Sequence, residues 1–209
     1  MMKKTKQTTN FLLVGVGGQG ILLAADVIAL VGLESGLDVK KSEVHGMAQR
    51  GGSVNSHVRW GERVFSPLIA PGEVDYLIAL ERLEALRYAD QLRPNGVLLI
   101  NDYRIMPVSV TSGSDIYPSA DDEDRAYSGI IERRLYVPAM SIARELGQTR
   151  VNNMVMLGAL SSFLDVSKDI WLEVISRRVP ERYIELNQRA FLAGRAYCVA
   201  HLQEASQDA

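Results

Sequence analysis

Cysteine is almost absent from this 209-residue chain, which carries only Cys198. One thiol excludes an intrachain disulfide, and it cannot alone supply the ligands of a zinc or iron–sulfur site. Its ordinary role is that of a small packed residue in a C-terminal helix. Histidine is scarce as well, and His45, His57 and His201 are too scattered to suggest a metal site. Neither sign of charge dominates: the formal net charge is -2, so no global field recruits nucleic acid or a membrane surface. No run of apolar residues is long enough to mark a membrane helix. The opening "MMKKTKQTTN" is basic but has no cleavage pattern, so residues 1–9 read as a flexible tail on a cytoplasmic protein. There is no Walker sequence, no G-x-S-x-G elbow, no H-E-x-x-H and no pair of catalytic carboxylates.

What is present describes a globular α/β chain, 47% hydrophobic and long enough for one domain over residues 10–209. Residues 11–16 ("FLLVGV") form a short apolar run stopped by glycine, which predicts a buried strand. A helix is expected from about Gly18 to Ser35, with Gly36 as its stop, and a second strand over 37–44. That succession predicts a βαβ unit with a parallel strand pair. "SVNSHVRW" alternates, with Val54, Val58 and Trp60 on one side and Asn55, His57 and Arg59 on the other. A return strand over 64–69, after a turn at Gly61-Glu62, would make a hairpin and a mixed sheet.

"VDYLIAL" (74–80) and "GVLLIN" (96–101) predict two more buried strands, joined by a helix over 82–92. Residues 111–134 are polar and read as an exposed excursion without chemistry. "RLYVPAM" predicts a strand entering a helix, and helices are expected over 151–164, 168–177 and 181–204, with Pro180 at the first turn of the last. Two helical segments, 21–33 and 154–164, are apolar on most sides, so they are covered on most sides, by this domain or by another chain. The architecture this implies is a three-layer α/β/α, Rossmann-like domain with a mostly parallel but mixed sheet and a helical C-terminal region.

Two stretches carry the functional signal. Gly15, Gly17, Gly18, Gln19 and Gly20 lie in "GVGGQG", which satisfies G-x-G-x-x-G between a strand and a helix. Glycine permits the tight turn, and the helix start offers unpaired N–H groups to an anion. A dinucleotide site would also need an acidic residue near the end of the second strand. Lys40 and Lys41 hold that spacing, and Glu43 comes slightly late. The second stretch, "SEVHGMAQRGGSV" (42–54), follows the second strand and brings Glu43, His45, Gln49, Arg50 and Gly51 to the sheet edge where open α/β folds bind ligands. Arg50 beside glycines suits an anion clamp, or a pair with Glu43 or with a partner; His45 suits proton transfer or a loop hydrogen bond. A site edge without visible catalytic apparatus describes a subunit better than a complete enzyme. The alternative is a free-standing NAD(P)- or FAD-binding protein.

"GVGGQGILLAADVIA", "SEVHGMAQRGGSVNSHVRWG" and "SPLI" resemble the gamma-type domain of the 2-oxoacid:ferredoxin oxidoreductases, over roughly residues 10–200. "VNNMVMLGALSSFLDV" and "VPERYIELNQRAFLAGR" resemble the helical signatures of that domain. "SEVHGMAQRGG" is similar to the indolepyruvate branch, where this domain is the beta subunit, more than to the pyruvate and 2-oxoglutarate branches. The resemblance implies oxidative decarboxylation of an aryl 2-oxoacid to its coenzyme A thioester, with electrons passing to ferredoxin. It implies that thiamine diphosphate and the 4Fe-4S clusters belong to a large alpha subunit, and that this chain holds neither alone. It also implies that residues 15–20 bind a ligand or cofactor, and that Glu43, His45, Gln49, Arg50 and Gly51 face substrate or partner.

Overall fold

The computed structural model describes residues 8–45 and 52–207. Its six strands are β1 (Thr9–Val16), β2 (Asp38–His45), β3 (Ser53–Gly61), β4 (Val74–Ala79), β5 (Leu92–Asn101) and β6 (Arg133–Val137). The helices are α1 (Ile21–Glu34), α2 (Arg82–Arg87), α3 (Val108–Thr111), α4 (Ala120–Tyr127), α5 (Ala139–Glu145), α6 (Asn152–Ser161), α7 (Lys168–Arg178) and α8 (Ile184–Gln207). The strands form one sheet in the order β2-β3-β1-β4-β5-β6. β1, β4, β5 and β6 are parallel neighbours, while β3 is antiparallel to both β1 and β2. The ends of β1, β2, β4, β5 and β6 and the start of β3 therefore share one rim of the sheet, called the upper edge below.

The mixed sheet is as expected, but two pairings differ. β1 and β2 point the same way without being neighbours, because β3 lies between them. Residues 62–73 form no strand, and the hairpin runs backwards from β3 to β2. The physical reason lies in side-chain bonds that replace a ladder. Arg59 donates to the carbonyls of Ser66 (3.1 Å) and Leu68 (3.0 Å), and Ile69 N–H donates to Nδ1 of His57 (3.3 Å). Thr9, assigned to the tail, is already in β1 opposite Trp60; residues 1–7 lie outside the described residues.

Alternation along β1 sorts the core into two layers. Phe11 and Leu13 join α1, α5, α6, α7 and α8 on one face; Leu12 and Val14 meet Ala85 of α2 and Tyr127 of α4 on the other. All ten residues of α6 are buried, so this apolar helix is covered within the domain itself. Its seam with α8 is a backbone approach: a Cβ on Gly158 would overlap the Phe191 carbonyl, and one on Gly194 would overlap the Val155 carbonyl. Cys198 is buried in α8, where burial raises its thiol pKa.

The polar excursion needs the larger correction. Ser119 and Asp122 form a capping box that starts α4, and Glu123 and Tyr127, four residues apart, turn inward on one face. Arg82 holds the Glu123 carboxylate with Nε at 3.0 and 2.9 Å from its two oxygens and Nη2 at 2.5 Å. Burial works against the charged guanidinium, but these bonds and one to Asp102 raise the Arg82 pKa. The segment's polar composition predicts a solvated excursion; a paired carboxylate lies under it.

Two outcomes follow from these contacts. Gly158→Val, which drives a side chain into the α8 backbone, should destabilise the chain by about 3 kcal/mol or more in urea titrations. Burial, then the Arg59 charge, lowers the His57 pKa below 6.5. The folded chain thus binds that proton less readily than the unfolded chain does. Stability from neutral His57 should be complete above about pH 6.5 and decline as pH falls below it. His57→Gln should flatten that decline in melts run from pH 8 to 5.

Candidate functional site

The glycine loop connects β1 to α1 at the upper edge, and its central side chain turns inward. Oε1 of Gln19 accepts the Val16 N–H and Nε2 donates to the Leu80 carbonyl, both at 2.7 Å. A Cβ on Gly15 would sit 2.7 Å from that Oε1, so Gly15 leaves the space the amide fills. Gly18 (φ 103°) and Gly20 (φ 80°) hold positive φ, which L side chains rarely adopt. Gly17 N–H donates to the Gly52 carbonyl (3.0 Å), tying the loop to the exit of the second motif. Asn153, at the start of α6, donates from Nδ2 to the Gly20 carbonyl (3.2 Å).

Gly20 is the N-cap of α1, and no side chain caps that helix or places an acid in its first turn. The helix start opens on a cavity of about 710 Å³, lined by Gly17, Gly18, Leu22, Val54, Arg178 and Pro180 among others. Backbone N–H groups, the helix dipole and the nearby Arg178 make its polar end suited to an anion, while Leu22, Val54 and Pro180 suit apolar matter.

Beside this cavity lies an ion cluster that the sequence reading missed. Asp26 of α1 is bonded by Lys41 of β2 and by Nε of Arg178 (3.0 Å), and Lys41 also reaches Glu43 (2.7 Å). Burial favours the neutral Asp26 carboxyl, but the hydrogen bonds from Lys41 and Arg178 outweigh it and lower its pKa. The lone charge of residues 21–33 is therefore a cross-link between three elements. Lys40 pairs with Asp38 (2.6 Å). The end of β2 thus offers a nucleotide ribose no uncommitted acid, and β3 moves that strand one place further from the glycine loop. The geometry disfavours the dinucleotide alternative.

Of the second motif, Glu43 is at the rim of β2 and bonded as above, and the backbone of His45 closes β2 opposite Val54. Gln49, Arg50 and Gly51 lie outside the described residues. On the opposite face of the sheet, buried Glu84 accepts from Ser53 Oγ and pairs with Arg87, while the Tyr88 hydroxyl accepts from Asn55 Nδ2 (2.9 Å). These groups fasten the start of β3 to α2. Among the described residues, no group of three or more His, Cys, Asp or Glu could hold a metal ion.

Comparison with known proteins bears on this geometry. The family model described as pyruvate ferredoxin/flavodoxin oxidoreductase matches residues 10–197. The chain belongs to this family. It is 40% identical over 187 residues to the indolepyruvate oxidoreductase subunit IorB of Archaeoglobus fulgidus, covering 88% of this chain and 92% of that protein. It is 29% identical over 185 residues to the ketoisovalerate oxidoreductase subunit VorA of Methanothermobacter thermautotrophicus, covering 86% of this chain but 34% of that protein. The keto/oxoacid ferredoxin oxidoreductase gamma subunit of Geobacter sulfurreducens has the same fold, with a TM-score of 0.68 at 26% identity over 92% of this chain and 99% of that one. Family membership makes the glycine loop part of an oxidoreductase subunit.

Gln19 separates a structural role from a ligand role. Gln19→Ala leaves the Val16 N–H without its acceptor, whereas the Leu80 carbonyl keeps Asn101 Nδ2 (3.2 Å). The substitution should cost about 0.5–1.5 kcal/mol in urea titrations, the usual net worth of one hydrogen bond. An unchanged midpoint would make Gln19 a ligand contact instead.

Proposed function

We propose that this chain is the smaller, non-autonomous subunit of a thiamine-diphosphate- and iron–sulfur-dependent 2-oxoacid:ferredoxin oxidoreductase acting on aryl pyruvates such as indolepyruvate. The overall reaction joins the 2-oxoacid, coenzyme A and two oxidised ferredoxins, and releases the acyl thioester, carbon dioxide, two reduced ferredoxins and a proton. The 40% identity to an indolepyruvate oxidoreductase subunit carries the substrate class, against 29% to the ketoisovalerate relative. In this reading residues 10–209 are one domain, the enzyme is cytoplasmic, and ferredoxin and the large alpha subunit are the partners. Among the described residues, no helix is long and apolar enough to cross a membrane.

The residues present do not fit a cluster. The single thiol is buried in α8, and four thiolates are the usual requirement. Bound elsewhere in the assembly, thiamine diphosphate supplies the electron sink for carbon dioxide loss and the clusters carry the electrons away. This chain's own contribution is positional. The uncapped start of α1 presents N–H donors at the upper edge, Arg178, paired with Asp26, flanks the cavity wall, and Leu22, Val54 and Pro180 make part of the lining apolar. Such a surface suits an anionic group of a substrate or of coenzyme A at an active site the larger subunit completes.

The deciding assay uses the chain alone and coexpressed with its large subunit, supplied with indolepyruvate, coenzyme A and ferredoxin. Turnover is expected only from the complex, with kcat/KM for indolepyruvate above that for pyruvate and 2-oxoglutarate. Turnover by the isolated chain, or a preference for either smaller acid, would overturn the reading.

A further inference from the structure

The segment 102–118 leaves the end of β5 at the upper edge, carries α3 and returns towards α4. It displays three large apolar side chains to solvent: Met106 is 48% exposed, Val108 83% and Ile116 88%. Single exposed apolar residues are ordinary, but three on one short segment concentrate apolar surface there. The segment is also firmly held. Ile105 N–H donates to Oε1 of Glu81 (3.1 Å), and the Tyr117 hydroxyl donates to the same oxygen. Tyr117 accepts the Leu83 N–H (3.1 Å), Arg82 N–H donates to the Tyr103 carbonyl (3.1 Å), and the Arg104 guanidinium lies 5.5 Å from the Tyr117 ring centre. Glu81 is 1% exposed, so both legs of the arm hang from one buried carboxylate. Burial, then the bond to Glu81, raises the Tyr117 pKa and keeps the phenol a donor. An arm ordered in advance loses little conformational freedom on binding.

We propose that this arm docks the chain onto the large subunit of the oxidoreductase, with Met106, Val108 and Ile116 entering an apolar recess of that subunit. The proposal rests on the reading of the chain as a non-autonomous subunit. Three observations favour this occupant. The arm shares the upper edge with the glycine loop, and the two are joined through consecutive residues, Leu80 and Glu81, so a protein that completes the site abuts the arm. Exposed Leu22 and Val44 extend the apolar surface along that edge to β2, four strand spacings from β5, or roughly 19 Å. That breadth suits a standard interface of roughly 800 Å² per partner. In the ketoisovalerate relative the matching part is 34% of the chain, so a much larger body of protein is attached to it there.

The test coexpresses the large subunit with the wild-type chain, with the double variant Val108→Asp/Ile116→Asp, and with Phe65→Asp. Phe65 is 82% exposed on residues 62–73 at the opposite edge, so it controls for a new surface charge. The double variant should melt like wild type yet bind the large subunit about 30-fold more weakly or worse, the scale of a lost hot spot. Phe65→Asp should assemble normally. Tyr117→Phe should speed amide exchange over 104–116 and weaken assembly to a lesser degree. A double variant that assembles as tightly as wild type overturns the docking role, as does one that loses only self-association of the isolated chain. Failure of the wild-type chain to assemble at all would instead remove the subunit reading on which the proposal stands.

Discussion

The Leu80 carbonyl, just past β4, accepts hydrogen bonds from Gln19 and from Asn101, and the next residue, Glu81, holds Ile105 and Tyr117. Glu81 also accepts the Glu84 N–H (3.0 Å) as the N-cap of α2. The glycine loop, the ends of β4 and β5, the first turn of α2 and the 102–118 arm thus converge on two adjacent residues. Such buried networks have to be satisfied together, because each group left over costs about 1–3 kcal/mol. The loop and the arm are therefore fastened to the two sides of one peptide unit.

The second constraint is the antiparallel strand β3 between β1 and β2. In a doubly wound nucleotide fold the second strand adjoins the first and places an acid near the ligand's ribose. Here β3 takes that place, and Lys40 and Lys41 of β2 pair with Asp38, Asp26 and Glu43. β3 also begins at Ser53, bonded to Glu84 on one face of the sheet and next to the Gly52 carbonyl that accepts from Gly17. The strand that displaces a dinucleotide acceptor is the one that brings the two sequence motifs into register.

The parts legible in sequence were those written locally. The apolar run of β1, the helix-stopping Gly36 and the alternation of β3 depend on neighbours within a few residues, and all three appear in the structure. Partner choice over long separation was not legible. Nothing in "GVGGQG" says that Gln19 meets a carbonyl 61 residues away, and Gly61-Glu62 reads as a hairpin turn unless Arg59 is known to take the carbonyls beyond it. Glu81 escaped notice for a related reason: Ser, Thr, Asp and Asn are the familiar N-caps, so a glutamate before "RLEAL" reads as a surface charge. Glu123 was hidden inside "DDEDR", where only the face of α4 separates the one buried acid from its solvated neighbours.

The fate of these acids bears on where the reaction's proton transfers take place. Glu81 serves three donors, Glu84 is shared by Ser53 and Arg87, Glu123 is held by Arg82, and Asp26 by Lys41 and Arg178. A general acid or base must reach the substrate with a lone pair or proton to exchange. These carboxylates already spend theirs on fold. Among the described residues, what this rim offers a ligand is the uncapped N–H groups at the start of α1, with Arg178 beside them on Asp26, and an apolar floor. Those groups bind and orient; they do not transfer protons. A rim whose buried carboxylates are committed to fold serves binding and orientation, a role to which the rigid arm beside it is suited.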